Sequence, residues 1–162
     1  NGKPSTIYAV GDYYNVNGVE GVVFEISDGG RHGKIVSVDQ AELEWGPDGV
    51  NTPVNSGTNG WANTDAIMSL SDRDNYPAFI WCRSKGSNWY LPAKSELLAI
   101  YRNRDAINTT LRARGYTEIS NLWYWSSTEG SESWAWFVSM DDGYTYYNFK
   151  LYNYSVRAVS AF

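Results

Sequence analysis

Trp134-Ala135-Trp136-Phe137-Val138-Ser139-Met140, followed by Asp141-Asp142-Gly143, is the stretch that decides the fold. Trp134, Trp136, Val138 and Met140 recur at every second position, which puts them on one face of an extended strand. Asp-Asp-Gly is a strong turn signal, because Asp and Gly tolerate the backbone angles of a tight reversal. Tyr-rich sequence follows from Tyr144, a residue type that favours strands, and the small, apolar run Val156–Phe162 reads as a last strand. The final third is therefore β.

Working backward, the middle third is helical. Asn63 or Thr64 is expected to cap a short helix through Ala66-Ile67-Met68-Ser69-Leu70. A second helix begins near Pro77, a natural first-turn position, and carries Phe79, Ile80, Trp81 and Cys82. A third runs from about Ala93 to Tyr101 with Leu97, Ile100 and Tyr101 on one face. A fourth starts at Asp105, turns Ile107 and Leu111 inward and stops at Gly115. Residues 45–60, rich in Gly, Asn and Pro, read as loop. The first third returns to strands, in Gly21-Val22-Val23-Phe24-Glu25-Ile26 and Gly33-Lys34-Ile35-Val36-Ser37-Val38, with the turn signal Ser27-Asp28-Gly29-Gly30 between them. The order β, then α, then β predicts an α+β fold with an antiparallel sheet and a few short helices, not repeating βαβ units.

At 162 residues the chain fits one domain, 1–162. Its net charge of −5 lacks the electrostatic footprint of a nucleic-acid binder. Lys and Arg are dispersed and no apolar run reaches membrane-spanning length, so neither nucleic acid nor direct membrane insertion is expected. No leader segment is evident within the chain; export would rest on a signal or lipoprotein anchor outside it. Cys82 is the only cysteine, which rules out an intrachain disulfide.

An ordered set of short motifs resembles a bacterial family. It comprises Gly33-Lys34-Ile35-Val36-Ser37, Gly60-Trp61-Ala62-Asn63, Trp81-Cys82-Arg83, Trp89-Tyr90-Leu91-Pro92, Glu96-Leu97, Tyr124-Trp125-Ser126-Ser127-Thr128-Glu129, Ala135-Trp136, Gly143 and Val156-Arg157-Ala158-Val159. Together these resemble the Lcl C-terminal domain family, and the resemblance implies a C-type-lectin-like fold. Ala93 departs from the family's usual Ser after Leu-Pro. That removes one half of a capping box with Glu96, at about 0.5–2 kcal/mol. Residues 124–162 further resemble the variable region of proteins diversified by retroelements, in which adenines of AAC codons are mutated. Every residue from Tyr144 to Ser155 except Lys150 is reachable by that route, and Trp134, which is not, reads as fixed scaffold.

The segment 144–155 holds five Tyr, two Asn and one each of Ser, Thr, Phe, Leu and Lys. Tyr offers large, rigid, amphipathic contact at low entropy cost, and Ser and Asn offer adaptable hydrogen bonds. The expected ligand contacts are Ser131, Ser133, Phe137, Ser139, Asp141, Tyr144, Tyr146, Tyr147, Asn148, Phe149, Leu151, Tyr152, Asn153 and Tyr154, taking an unknown protein or carbohydrate ligand. The competing reading makes the tyrosines an ordinary core-facing strand pair. The tryptophans, including Trp123, Trp125, Trp134 and Trp136, are expected in the core rather than on a sugar-stacking platform, with Trp136 almost fully buried.

Chemistry is expected to be absent. His32 and Cys82 would have to meet in space to form a nucleophile pair, and a thiol in an apolar helix is usually inert. No ligand set for Zn²⁺ is present, no cofactor is expected, and Asp141, Asp142, Glu129 and Glu132 read as a turn and solvated charges rather than a Ca²⁺ or glycosidase site. Formylglycine-generating enzymes share the lectin-like fold, but their paired C-terminal cysteines are missing. The calcium-dependent sugar motifs Glu-Pro-Asn and Gln-Pro-Asp do not occur. The expected function is non-enzymatic recognition, at a cell surface, outside the cell or on a phage particle. The alternative is a fixed-specificity carbohydrate- or glycosaminoglycan-binding adhesin, and the least favoured is an enzyme of the formylglycine-generating kind.

Overall fold

The computed structural model describes residues 6–162. Strands β1 (Tyr13–Val16), β2 (Val19–Ser27), β3 (His32–Val36) and β4 (Ala41–Leu43) open the chain. Helices α1 (Gly60–Met68) and α2 (Pro77–Arg83) follow, then β5 (Trp89–Tyr90), α3 (Lys94–Arg102) and α4 (Arg104–Ala113). Strands β6 (Trp123–Glu129), β7 (Trp134–Ser139), β8 (Thr145–Phe149), β9 (Tyr154–Val156) and β10 (Val159–Ala161) close it. The fold is α+β.

Among the described residues the strands form two five-stranded sheets, ordered β1-β2-β3-β10-β5 and β4-β9-β6-β7-β8. The expected antiparallel pattern holds for every pairing but one: β9 runs parallel to β6, with Ser155 opposite Tyr124. The chain leaves β8 at Phe149 and crosses through residues 150–153 to the far side of β6. Trp125 pins this crossing, its indole N–H donating to the Tyr152 carbonyl at 3.2 Å. Such a crossover is fixed by tertiary packing and leaves no local signature in the sequence.

Both faces of the central strands are covered. Val22, Phe24, Val36, Tyr124, Val138 and Met140 pack with Leu97 and Ile100 of α3 and Ile107 and Leu111 of α4. Val23, Ile35, Trp125, Ala135 and Phe137 pack with Ile67 of α1 and Phe79 and Cys82 of α2. This two-sided burial is why β2 reads as an unbroken apolar run.

Helix α1 begins earlier than its sequence suggests. Asn59, not Asn63 or Thr64, is the cap, its side-chain oxygen accepting from the Ala62 N–H at 3.0 Å. Asn63 and Thr64 turn inward instead. Asn63 donates to Ser56 O at 2.8 Å and Ser127 Oγ at 2.9 Å, and Thr64 Oγ1 accepts from the Leu91 N–H at 3.0 Å. At α3 the Glu96 half of the capping box survives: its carboxylate accepts from the Ala93 N–H at 3.0 Å.

Candidate functional site

Strand β8 lies at the free edge of the second sheet, paired only with β7. Its register sets Trp136 opposite Tyr147 and Phe137 opposite Tyr146. At an uncovered edge the rings of successive tyrosines lean toward each other. Tyr144 stacks on Tyr146 with centroids 5.7 Å apart, Tyr146 on Tyr147 at 4.4 Å, and Tyr147 on Trp134 at 4.8 Å. Edge contacts continue from Trp134 to Phe149 at 6.1 Å and from Phe149 to Tyr152 at 5.8 Å. Tyr152 meets Tyr154 at 6.1 Å, Tyr154 meets Trp123 at 5.5 Å, and Trp123 stacks on Phe137 at 4.4 Å. Phe137 returns to Tyr144 at 6.4 Å, closing the circuit.

Tyr144, Tyr146, Phe149, Leu151 and Tyr152 are each 45–52% exposed, and Trp123 and Trp134 are 42% and 37% exposed. Asp141 and Asn153 are also exposed, while Ser131, Ser133, Tyr147, Asn148 and Tyr154 are half-buried.

Two of the expected contact residues are buried. Phe137 is buried because it is the floor on which Trp123 stacks. Ser139 is buried because it closes the β7–β8 turn, accepting the Gly143 N–H at 2.8 Å and donating its own N–H to Tyr144 O at 2.8 Å. Gly143 has φ +78° there, and the Tyr101 ring occupies the space a Cβ would need. Ser131 and Ser133 shape the β6–β7 turn, the Ser133 N–H donating to Ser131 Oγ at 3.2 Å. Asn148 braces Tyr154, its amide donating to the Tyr154 hydroxyl at 2.7 Å.

The tryptophans also divide. Trp45 and Trp125 are fully buried, but Trp61, Trp123 and Trp134 are exposed. Trp136 is only half-buried, correcting the expectation of near-complete burial. Helix α3 packs on β6 and β7, and its Leu97 and Ile100 cover Val138 and Met140. Trp136 lies at the start of that helix, where the Lys94 ammonium sits 4.0 Å from its ring centroid. Alternation along β7 held; the covering layer did not extend that far.

The chain matches the Lcl C-terminal domain over residues 34–160. It belongs to the Lcl C-terminal domain family. The matched span of this Lcl C-terminal domain runs from β3 into β10 and includes the whole aromatic circuit. No curated protein matches the chain. Among solved structures it is similar to a fimbrial protein from Bacteroides ovatus, with a TM-score of 0.73 at 17% identity. That similarity covers 96% of this chain and 49% of the fimbrial protein, so the chain spans about half that protein's length.

Lys150, the one residue of 144–155 outside the AAC-reachable set, is the anchor of the Lcl C-terminal domain's exposed segment. It is fully buried, pairs with Glu129 at 2.5 Å and donates to Val50 O at 2.9 Å and Glu132 O at 2.8 Å. Glu129 is not the solvated charge expected from sequence: it also accepts from Thr52 N–H and Thr52 Oγ1, both at 2.9 Å. Beside Trp123 a cavity of about 270 Å³ opens, lined by Glu42, Asn121, Leu122, Trp123, Asn153, Tyr154 and Ser155. Asn121 and Leu122 are chain neighbours of Trp123, whereas Glu42 carried no signal in the sequence, because only the β4–β9–β6 pairing brings it to Trp123.

Hydrogen bonding to Tyr146 raises the pKa of Tyr147 above its ordinary 10.0, and burial raises that of Tyr154. Cys82 and His32 do not form a nucleophile pair. Cys82 is buried with its thiol pushed up by desolvation, while exposed His32 meets Phe162 O and Asp28. Among the described residues no cluster of three or more His, Cys, Asp or Glu side chains is able to hold a metal. No described helix is long and apolar enough to cross a membrane.

Proposed function

We propose that this chain is a single, non-enzymatic recognition module on a C-type-lectin-like scaffold, displayed outside the cell, on its surface or on a phage particle. It binds a protein or glycan through the aromatic face of β7, β8 and the crossing that follows. The observation that carries this is the closed circuit of stacked and edge-on rings, with Tyr144, Tyr146, Phe149 and Tyr152 about half exposed, at a sheet edge that no other described element covers. Exposed aromatic patches of this kind mark interaction sites, and a few aromatic anchors usually dominate binding.

Diversification by a retroelement fits the same arrangement. The exposed positions of 144–155 are reachable from AAC codons, whereas unreachable Lys150 is the buried anchor. A reverse-transcriptase gene beside a near-copy of this segment would establish it.

The second reading is a fixed-specificity carbohydrate adhesin, favoured by the exposed indoles of Trp123 and Trp134. A polyanionic glycosaminoglycan suits this face poorly. The charges bordering it include Glu42, Glu132, Asp141 and Asp142, beside the ammonium of Lys94 on Trp136.

The test is the combined substitution Tyr144→Ser, Tyr146→Ser and Tyr152→Ser. Binding on protein and glycan arrays should fall by at least about tenfold, while stability changes by no more than about 1 kcal/mol, as for exposed side chains away from the core. Unchanged binding by this variant removes the aromatic face from the function.

A further inference from the structure

The first sheet carries a second concavity, where β3, β5 and β10 meet the starts of α1 and α3. It measures about 670 Å³, inside the roughly 300–1,000 Å³ range of small-molecule sites. Lys34, Asn59, Trp61 and Asn88 wall it, and Tyr90 and Glu96 also line it.

Its buried framework is rigid. Glu96 is 4% exposed; one carboxylate oxygen accepts the Gly60 N–H at 2.8 Å and the Ala93 N–H at 3.0 Å. The other takes the Tyr90 hydroxyl and pairs with Lys34 Nζ at 3.2 Å. A Cβ on Gly60 would stand 2.5 Å from the Leu91 carbonyl oxygen, so only glycine lets the start of α1 approach this closely. The close approach brings the next residue, Trp61, to the cavity, where it is 44% exposed. Asn59 uses its side-chain oxygen on Ala62 N–H, which leaves its amide N–H groups for a ligand.

The chemistry selects an amphipathic, uncharged occupant. Lys34 is already balanced by Glu96 and by Glu25 at 3.1 Å, and Arg83, 5.8 Å from the Trp61 ring centroid, by Asp65 at 3.7 Å, so no net positive charge draws an anion. The lining is too polar for a lipid. An indole beside amides, an ammonium and a carboxylate matches a hexose, whose C–H face lies on an aromatic ring and whose hydroxyls both donate and accept.

We propose that this cavity is a second binding site, which takes one neutral hexose unit of a glycan against Trp61 with hydrogen bonds from Asn59, Asn88 and Lys34. It shares no residue with the aromatic face and stands or falls independently of it.

The experiment follows the Trp61 indole N–H resonance, assigned by its loss in Trp61→Ala. The probes are the methyl glycosides of glucose, galactose, mannose and N-acetylglucosamine. Each is titrated to about 50 mM, well above the Kd on the order of 1 mM expected for one sugar. At least one glycoside should shift this resonance saturably. Asn88→Ala should weaken that binding by about tenfold, the loss of one hydrogen bond. The variant carrying Tyr144→Ser, Tyr146→Ser and Tyr152→Ser should retain it. No saturable shift with any of the four, unaltered affinity in Asn88→Ala, or shifts confined to Trp123 and Trp134 would each overturn the proposal.

Discussion

Lys150 illustrates how one residue separates an exposed segment from the scaffold. Its ammonium lies at full burial with Glu129, two carbonyl oxygens and the Trp45 ring 4.8 Å away. Removing one member of a buried ion pair leaves the other charge desolvated without compensation. Lys150→Met is therefore expected to lower stability by about 3–5 kcal/mol, and the double variant Lys150→Met with Glu129→Leu to recover part of that. Urea unfolding at constant m measures both. A loss under about 1 kcal/mol would mean that the pair is solvated in the native protein. Arg157 is a second buried cation, but it meets oxygens of neutral groups: Ser37 O at 2.8 Å, Gln40 Oε1 at 3.0 Å and Thr117 O at 2.5 Å. Burial lowers its pKa, and it ties the C-terminal strands to the loops after β3 and α4.

At the scale of elements, β7 and β8 show what periodicity can and cannot say. Trp136, Val138 and Met140 do share a face, yet α3 covers only the last two. Trp136→Ala is accordingly expected to cost about 1–2 kcal/mol, against about 3–5 kcal/mol for fully buried Trp125→Ala. Parallel denaturant melts compare them, and equal losses would show that Trp136 is as much core as Trp125. At β8, Tyr146 and the preceding Tyr144 are exposed, whereas nearby Tyr154 packs on Trp125 with centroids 4.6 Å apart. Burial thus divides the Tyr-rich segment. Tyr154 belongs partly to the core, and Tyr144, Tyr146 and Tyr152 do not. The cap of α1 differs from its sequence expectation for a related reason: Asn59, Asn63 and Thr64 are all competent caps by type, and only the contacts to Ser56, Ser127 and Leu91 assign Asn63 and Thr64 to the interior.

For the whole molecule, Cys82 is a probe of cooperative unfolding. It sits in the core shared by α1, α2 and both sheets, and burial pushes its thiol well above the ordinary value of 9.0. The native thiol should resist alkylation at pH 8, with a labelling rate that follows global opening as denaturant is raised. Rapid labelling in the absence of denaturant would show that α2 opens locally. The linkage has a definite sign. The folded-state pKa is raised, so this group's contribution to stability is fully present below 9.0 and declines as pH rises above it, where only the unfolded chain ionises.

The sequence by itself determined the α+β class, the β–α–β order, the family resemblance and the approximate positions of three of the four helices. These follow from short-range facts: the period of apolar residues, Pro77 at a helix start, and Gly115 just beyond a helix end. It also marked Lys150 as the odd residue of its segment. Tertiary structure alone decided the parallel β6–β9 pairing, the burial of Phe137 and Ser139, the exposure of Trp61, Trp123 and Trp134, and the cavities beside Trp123 and Trp61. Each of these depends on which element covers a given face, and such long-range packing is set by contacts among residues distant in sequence, which periodicity along one strand or helix cannot record.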